Sequence, residues 1–228
     1  MNETTAVVTG GTRGLGRAVA GAFADAGARV VICGRDADAV EETVEGFPGE
    51  ATGLRADARD EFDLERLMET AARFGPGGID VLVPAAAVRH GSPGATPLSA
   101  TSYAAFDDVF RTNARGVFAA VNEALPHMPD DGRVLVPTCE VAREPGSGGG
   151  AYAISKAAAE AVVRGFAADC EQVVGAVDPG PLATELSGDE GSDPEEVAEL
   201  FVWAVEEATP DELDGGVVSV EDWEAATE

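Results

Sequence analysis

Tyr152 and Lys156 stand four positions apart in the run Tyr152-Ala153-Ile154-Ser155-Lys156. On a helix that spacing puts both side chains on one face, so a phenol and an ammonium point into the same space. A phenol with a pKa near ~10 is a poor acid–base group at neutral pH, but a nearby cation stabilises the phenolate and lowers that value. Such a pair could hand a proton to a carbonyl oxygen, or take one from an alcohol, while a hydride moves at carbon. Lys156 is also the sole lysine among 15 basic residues, every other one being arginine. A solvated surface position would accept arginine, whereas a compact ammonium beside a phenol is harder to replace. Tyr-x-x-x-Lys alone is common by chance, so its weight comes from its surroundings.

The second chemical feature is the turn Thr9-Gly10-Gly11-Thr12-Arg13-Gly14-Leu15-Gly16, which follows the first apolar run and leads straight into a helix-forming stretch. Glycine is needed where the chain turns tightly and where backbone approaches a pyrophosphate or a neighbouring strand. The helix start beyond it offers unpaired N–H groups and a positive dipole end to anionic oxygens. The spacing Gly-x-x-x-Gly-x-Gly differs from the usual G-x-G-x-x-G fingerprint. No Lys-Ser or Lys-Thr follows, so it is not a phosphate-binding P-loop either.

Positioning these groups requires an alternating chain. Ala6–Thr9, Arg29–Cys33, Ala51–Ala56, Ile79–Val83, Val134–Val136, Val173–Val177 and Val217–Val220 read as strands. Gly14–Ala26, Asp38–Glu45, Glu61–Phe74, Thr101–Leu125, Tyr152–Asp169 and Pro194–Glu207 read as helices. Leu64, Leu67, Met68 and Ala71 recur at helical spacing and predict one apolar face. Asp193-Pro194-Glu195-Glu196 is a helix start, with a capping acid, Pro in the first turn and carboxylates at the positive end. The pattern implies an α/β fold: a single doubly wound parallel sheet of about seven strands, Rossmann-like, covered by helices on both faces. No linker divides residues 1–228, so one domain is expected to carry every site. The polar stretches Gly146–Gly150 and Ser187–Ser192 should lie over the carboxyl edge, where ligands bind.

Composition narrows the partners. A net charge of −27 repels phosphate backbones and acidic lipid heads, which argues against nucleic acid and membrane. Acids are spread along the chain, as on a folded surface. Abundant Asp and Glu with almost no Lys resembles proteins of salt-accumulating microbes, in which concentrated salt screens self-repulsion. The N-terminal residues lack a secretory pattern, and the three cysteines show no metal spacing, so a reduced cytoplasmic setting with no metal is expected. His90 and His127 match no triad and read as loop or helix-end residues.

With the glycine turn at its start and Tyr152 and Lys156 on a helix after the fifth strand, the chain resembles the short-chain dehydrogenase/reductase family from Thr9 to the last strand. The resemblance implies a nicotinamide-dependent oxidoreductase acting on a carbonyl or alcohol substrate, with 3-oxoacyl thioesters among the common possibilities. It implies that Gly10, Thr12, Arg13, Gly14, Leu15 and Gly16 cradle the nucleotide, with Tyr152 as acid–base group and Lys156 lowering its pKa and holding the ribose. An acid after the second strand would favour NAD; here Gly34 and Arg35 occupy that slot. Arg13 and Arg35 suit a 2′-phosphate, so NADP(H) is favoured over NAD(H). The alternative is that both merely pair with acids such as Asp36 and Asp38.

The same resemblance assigns Asp57 and Ala58 to adenine, Asn113 to a water linked to the lysine, and Pro179, Gly180 and Thr184 to the nicotinamide end. Two departures stand out. The family serine thirteen residues before the tyrosine is Cys139, with Thr138 one place earlier as the other candidate hydroxyl. A thiol is the weaker donor. The family's Asn-Asn-Ala-Gly is Pro84-Ala85-Ala86-Ala87, where the backbone near Ala85 could still border adenosine. Relatives pair through the helices assigned to 101–125 and 152–169, so a homodimer or homotetramer is implied, with Ala157, Ala158, Ala159 and Ala161 permitting close approach. A dinucleotide-binding sensor or partner subunit with little turnover is the second reading, favoured by the departures and opposed by Tyr152, Lys156 and Asn113. An eliminating or dehalogenating relative would not need so complete a glycine turn.

Overall fold

The computed structural model describes residues 1–144 and 146–227. The strands are β1 (Thr5–Thr9), β2 (Arg29–Gly34), β3 (Ala51–Arg55), β4 (Val81–Pro84), β5 (Arg133–Pro137), β6 (Val173–Asp178) and β7 (Val217–Ser219). They form one seven-stranded sheet in the order β3-β2-β1-β4-β5-β6-β7, parallel throughout. The helices are α1 (Gly14–Asp25), α2 (Ala37–Glu45), α3 (Glu61–Phe74), α4 (Tyr103–Phe110), α5 (Gly116–Ala124), α6 (Gly150–Asp169), α7 (Pro194–Val197), α8 (Glu199–Glu206), α9 (Pro210–Leu213) and α10 (Val220–Thr227). No helix among the described residues is long and apolar enough to cross a membrane.

Strand residues alternate between two cores, as the pleat requires. Ala6, Val8, Val30 and Ile32 face one side, where they meet Val19 and Phe23 of α1 and Leu200 and Phe201 of α8. Val7, Val31, Leu82 and Val134 face the other, against Leu64, Leu67, Met68 and Ala71 of α3, Val121 of α5 and Val163 of α6. The apolar stripe read from α3 is therefore fully buried. Each of its larger side chains contributes about 1.5–3 kcal/mol by leaving water.

Several expectations shift. The helix expected over 101–125 is divided: a wide π turn at Arg111–Arg115 separates α4 from α5. Asn113 lies in that turn, with its side chain drawn off the helix into contact with Val88 and Ser155. The helix expected over 194–207 is α7 and α8, meeting at Ala198. Its start is as read, Asp193 capping the Glu195 N–H at 3.0 Å. β4 begins at Val81 rather than Ile79, β3 stops at Arg55 so that Asp57 lies two residues past the strand, and β7 ends at Ser219. The sequence pattern missed α9 and α10, both too short or too polar to show an apolar period.

The strand order reverses at β1, which has β2 on one side and β4 on the other. Crossovers leave β1 and β4 in opposite directions there, opening a crevice beyond their carboxyl ends. The glycine turn and the Ala85–Ala87 segment emerge at that point.

Candidate active site

The glycine turn is packed too tightly for side chains. Gly10 has a φ of +68°, and a Cβ there would lie 2.8 Å from Ala86 Cα. Gly14 and Gly16 open α1, whose first turn carries no acid. Ala86 N donates to Thr9 Oγ1 at 3.2 Å, and Asn113 grips Val88 through both N–H (2.8 Å) and carbonyl (2.9 Å). These bonds brace the alanine segment, which lacks side-chain amides of its own.

Beyond the turn runs a groove of about 1330 Å³. Thr12, Arg13, Leu15 and Gly16 line one end with Arg35, and Asp57, Ala58 and Ala85 border its flank. Pro179, Gly180 and Thr184 stand after β6, while Cys139, Tyr152 and Lys156 close the far end. A Cβ at Gly34 would sit 2.7 Å from Thr12 Cγ2, so the Thr12 side chain occupies the space that a ribose-binding acid at this position would need. The groove thus fits a dinucleotide: a tightly turned backbone cradle at one end, cations at the adjacent corner and the Tyr152 phenol and Lys156 ammonium at the other.

The two arginines differ. Arg13 pairs with Glu185 at 2.7 Å, across the groove mouth rather than with Asp36 or Asp38. Both side chains are largely exposed, so the pair contributes at most about 1 kcal/mol and could be exchanged for a phosphate. Arg35 is exposed and has no ion pair among the described residues. Asp36 instead caps α2, accepting from the Asp38 and Ala39 N–H groups. Asp57 is held by Arg59 at 2.6 Å, and that guanidinium keeps its carboxyl below the usual range. Arg59 also reaches Asp108 at 2.8 Å, and His90 binds the same carboxylate at 2.8 Å, so His90 is a loop residue with a partner.

At the far end of the groove, Lys156 is buried and its Nζ donates to the Pro137 carbonyl at 2.9 Å. Burial pushes its pKa down, with neighbouring Cys139 and the carboxylates of Asp178 and Glu160 opposing that effect. Tyr152 does not behave as the sequence suggested. Burial and the adjacent Cys139 push the phenol above its ordinary value, and the cation that opposes them is Arg89. Lys156 Nζ lies 5.8 Å from the ring centroid, committed to a carbonyl, whereas the Arg89 guanidinium sits 3.8 Å over the ring. Sequence reading passed over Arg89, which belongs to no motif.

The structure also separates the two candidates for the missing serine. Thr138 also borders the groove, but it is buried and its hydroxyl is already donated to Glu160 Oε1 at 2.7 Å. Cys139 lines the groove beside Tyr152. Burial pushes its thiol up, so it remains a neutral weak donor and not a thiolate nucleophile. Beneath it, Arg143 bridges Glu160 (2.6 Å) and Asp178. That network was also missed, although Tyr152, Lys156 and Glu160 at successive i, i+4 spacings already share one helix face. Asn113 does not line the groove; its amide is taken up by Val88 and Ser155, the latter at 3.0 Å. In this geometry it is a brace between the alanine segment and α6. Thr184 Oγ1 accepts from the Leu186 and Ser187 N–H groups and shapes its own turn.

Residues 4–195 match the short chain dehydrogenase family. The chain belongs to that family. It is an oxidoreductase of the short-chain dehydrogenase/reductase type. It is 32% identical over 219 residues to an NADPH-dependent aldehyde reductase-like protein, chloroplastic, of Arabidopsis thaliana, covering 86% of this chain and 78% of that one. It is 34% identical over 196 residues to versicolorin reductase 1 of Aspergillus parasiticus, covering 82% and 72%. Among solved structures, a short chain dehydrogenase from Burkholderia cenocepacia in complex with NADP superposes with a TM-score of 0.83 at 26% identity, covering 97% of each chain.

Proposed function

We propose that the protein transfers a hydride between NADP(H) and a carbonyl or alcohol substrate, with Tyr152 as the proton donor or acceptor. One observation carries this reading: the glycine turn, Arg35 and the Tyr152–Lys156 pair border a single continuous groove. The nicotinamide, when bound, supplies or accepts the hydride. The chain's own residues do the rest. Gly10 to Gly16 and the start of α1 receive the pyrophosphate. Arg35, joined by Arg13 once its contact with Glu185 is exchanged, takes the 2′-phosphate. Lys156, anchored at Pro137, holds a ribose hydroxyl and fixes the helix face on which Tyr152 sits.

In the reducing direction the buried phenol is already protonated and hands its proton to the carbonyl oxygen, with the Cys139 thiol as a second, weaker donor. Relatives named for NADPH dependence and an NADP-bound structural neighbour favour the phosphorylated nucleotide. Small-molecule turnover fits the family, and a cytoplasmic, salt-rich setting fits the acidic surface. Cys139 in place of a hydroxyl also favours the second reading, a nucleotide-binding subunit with little turnover.

Fluorescence titration with NADPH and NADH in molar potassium chloride, followed by a ketone screen, tests the proposal. Tighter binding of NADPH and loss of turnover without loss of binding in Tyr152→Phe are the expected results. Absence of nucleotide binding overturns the function; binding without turnover, unchanged by Cys139→Ser, selects the second reading.

A further inference from the structure

Tyr152 borders a second cavity, of about 440 Å³, on the side away from the glycine turn. Arg89 and Tyr152 line both this cavity and the nucleotide groove, so they form the wall between them. Acids make up 42 of the 228 residues, yet none of the described residues lining this cavity is Asp or Glu. Its walls are glycine, alanine, serine, threonine, a few apolar side chains, Tyr152 and His90, the last tied to Asp108 behind it, with Arg89 as the fixed cation. On so acidic a chain, an acid-free pocket is a local reversal of the surface field.

Arg89 itself is incompletely used. It has no ion pair among the described residues. Its Nε is buried with no hydrogen-bond partner. A guanidinium kept only to stack on a ring would leave that donor unsatisfied, which is costly. A carboxylate bound side-on through Nε and one Nη would satisfy it in the planar geometry that arginine favours, once a small turn of the guanidinium opens the buried Nε to the cavity. The guanidinium carbon is 3.8 Å from the Tyr152 ring centre, so an anion held there lies within a few bonds of a carbonyl that accepts the phenolic proton.

We infer that Arg89 is the anion anchor of the substrate pocket, and that the substrate is a small oxo acid or hydroxy acid whose carboxylate neighbours the reacting carbon. The inference rests on the redox reading of the same site. Reduction adds a hydride from the nicotinamide to the carbonyl carbon and a proton from Tyr152 to its oxygen, giving the hydroxy acid and oxidised nucleotide; the carboxylate is unchanged. An acyl thioester, neutral next to its keto group, would leave Arg89 unpaired.

The test is calorimetric titration in molar potassium chloride, with and without NADP, using pyruvate against methyl pyruvate and acetoacetate against methyl acetoacetate. In at least one pair the acid binds about tenfold or more tightly than its ester, the usual scale for a charge-assisted contact. Arg89→Gln abolishes the preference and Arg89→Lys keeps part of it, while both leave the circular dichroism spectrum unchanged. Equal affinity for acid and ester, no measurable binding of either, or a preference that survives Arg89→Gln overturns the anchor. If NADPH fails to bind while the Arg89-dependent acid preference holds, the redox reading falls and the anchor stands. If NADPH binds and the preference is missing, the reverse is true.

Discussion

The cation nearest the Tyr152 ring is an arginine stacked on its face, and the lysine four residues on is occupied with a backbone carbonyl. Burial then governs the phenol, raising its pKa. The sign for catalysis follows. In the proposed reaction carbonyl reduction needs the protonated phenol, which persists through neutral pH, so its rate should stay flat there. Alcohol oxidation needs the phenolate, so it should climb steadily into the alkaline range. Steady-state rates in both directions across pH check this, and an oxidation rate that levels off below neutrality would contradict it. Cys139 offers a second measurement. Replacing the thiol by a hydroxyl in Cys139→Ser supplies a stronger donor to the developing oxyanion and should raise kcat by about tenfold. An unchanged kcat would mean that the thiol only fills space. Tyr152, Lys156 and the glycine turn were legible because their types and spacings are unusual for the chain. Arg89 was not, since one arginine in a loop has no periodicity and its meaning lies in what it stacks upon. Nor could the chain alone tell Thr138 from Cys139, because that choice depends on Glu160 arriving from α6.

At the level of elements, α6 carries Tyr152 and Lys156 on one face and reaches Arg143 and Asp178 through Glu160. Glu160 and Asp178 are both nearly inaccessible, and removing the cation between them would leave two buried carboxylates facing each other. Arg143→Ala should therefore destabilise the fold by about 2–3 kcal/mol, below the value for a wholly buried pair because Arg143 keeps one flank in solvent. Denaturant unfolding reads this, and Arg143→Lys should recover part of it. A loss below half a kcal/mol would show that the network is water-filled and weak. The sheet and most helices were readable, since apolar runs of period 2 and 3.6 survive any packing detail. The break of the expected 101–125 helix at Arg111–Arg115 was not, because nothing local demands a π turn. It is held by tertiary bonds from Asn113 to Val88 and Ser155.

Across the whole molecule, charge and exposed apolar surface make separate demands. Phe118 of α5 and Ile154 of α6 are partly exposed large side chains on the helices through which relatives are expected to pair, whereas Ala159, counted with the approach surface, is buried in the chain's own core. Phe118→Glu should accordingly lower the mass seen by light scattering if this face joins two copies. The charge argument reaches further. With 42 acids against 15 cations, repulsion is summed over many exposed pairs and opposes compaction, while the surface ion pairs that oppose it are few and individually weak. Salt acts on both, and their signs differ: it weakens the attractive pairs and also relieves the repulsion. The Debye length falls from about 10 Å at 0.1 M to about 3 Å at 1 M, so screening should remove mainly the long-range repulsion while leaving the close contacts such as Arg143–Glu160 at 2.6 Å largely intact. Several kcal/mol of relief in a chain this size corresponds to a rise in Tm of about 10 °C or more. Thermal unfolding in rising potassium chloride measures it, with sorbitol of equal osmolality as the control for solvent exclusion, which also stabilises compact states. A Tm that climbs with the salt but not with the sugar assigns the effect to charge; equal gains in both would mean that solvent exclusion suffices and that the acidic surface is no adaptation to salt.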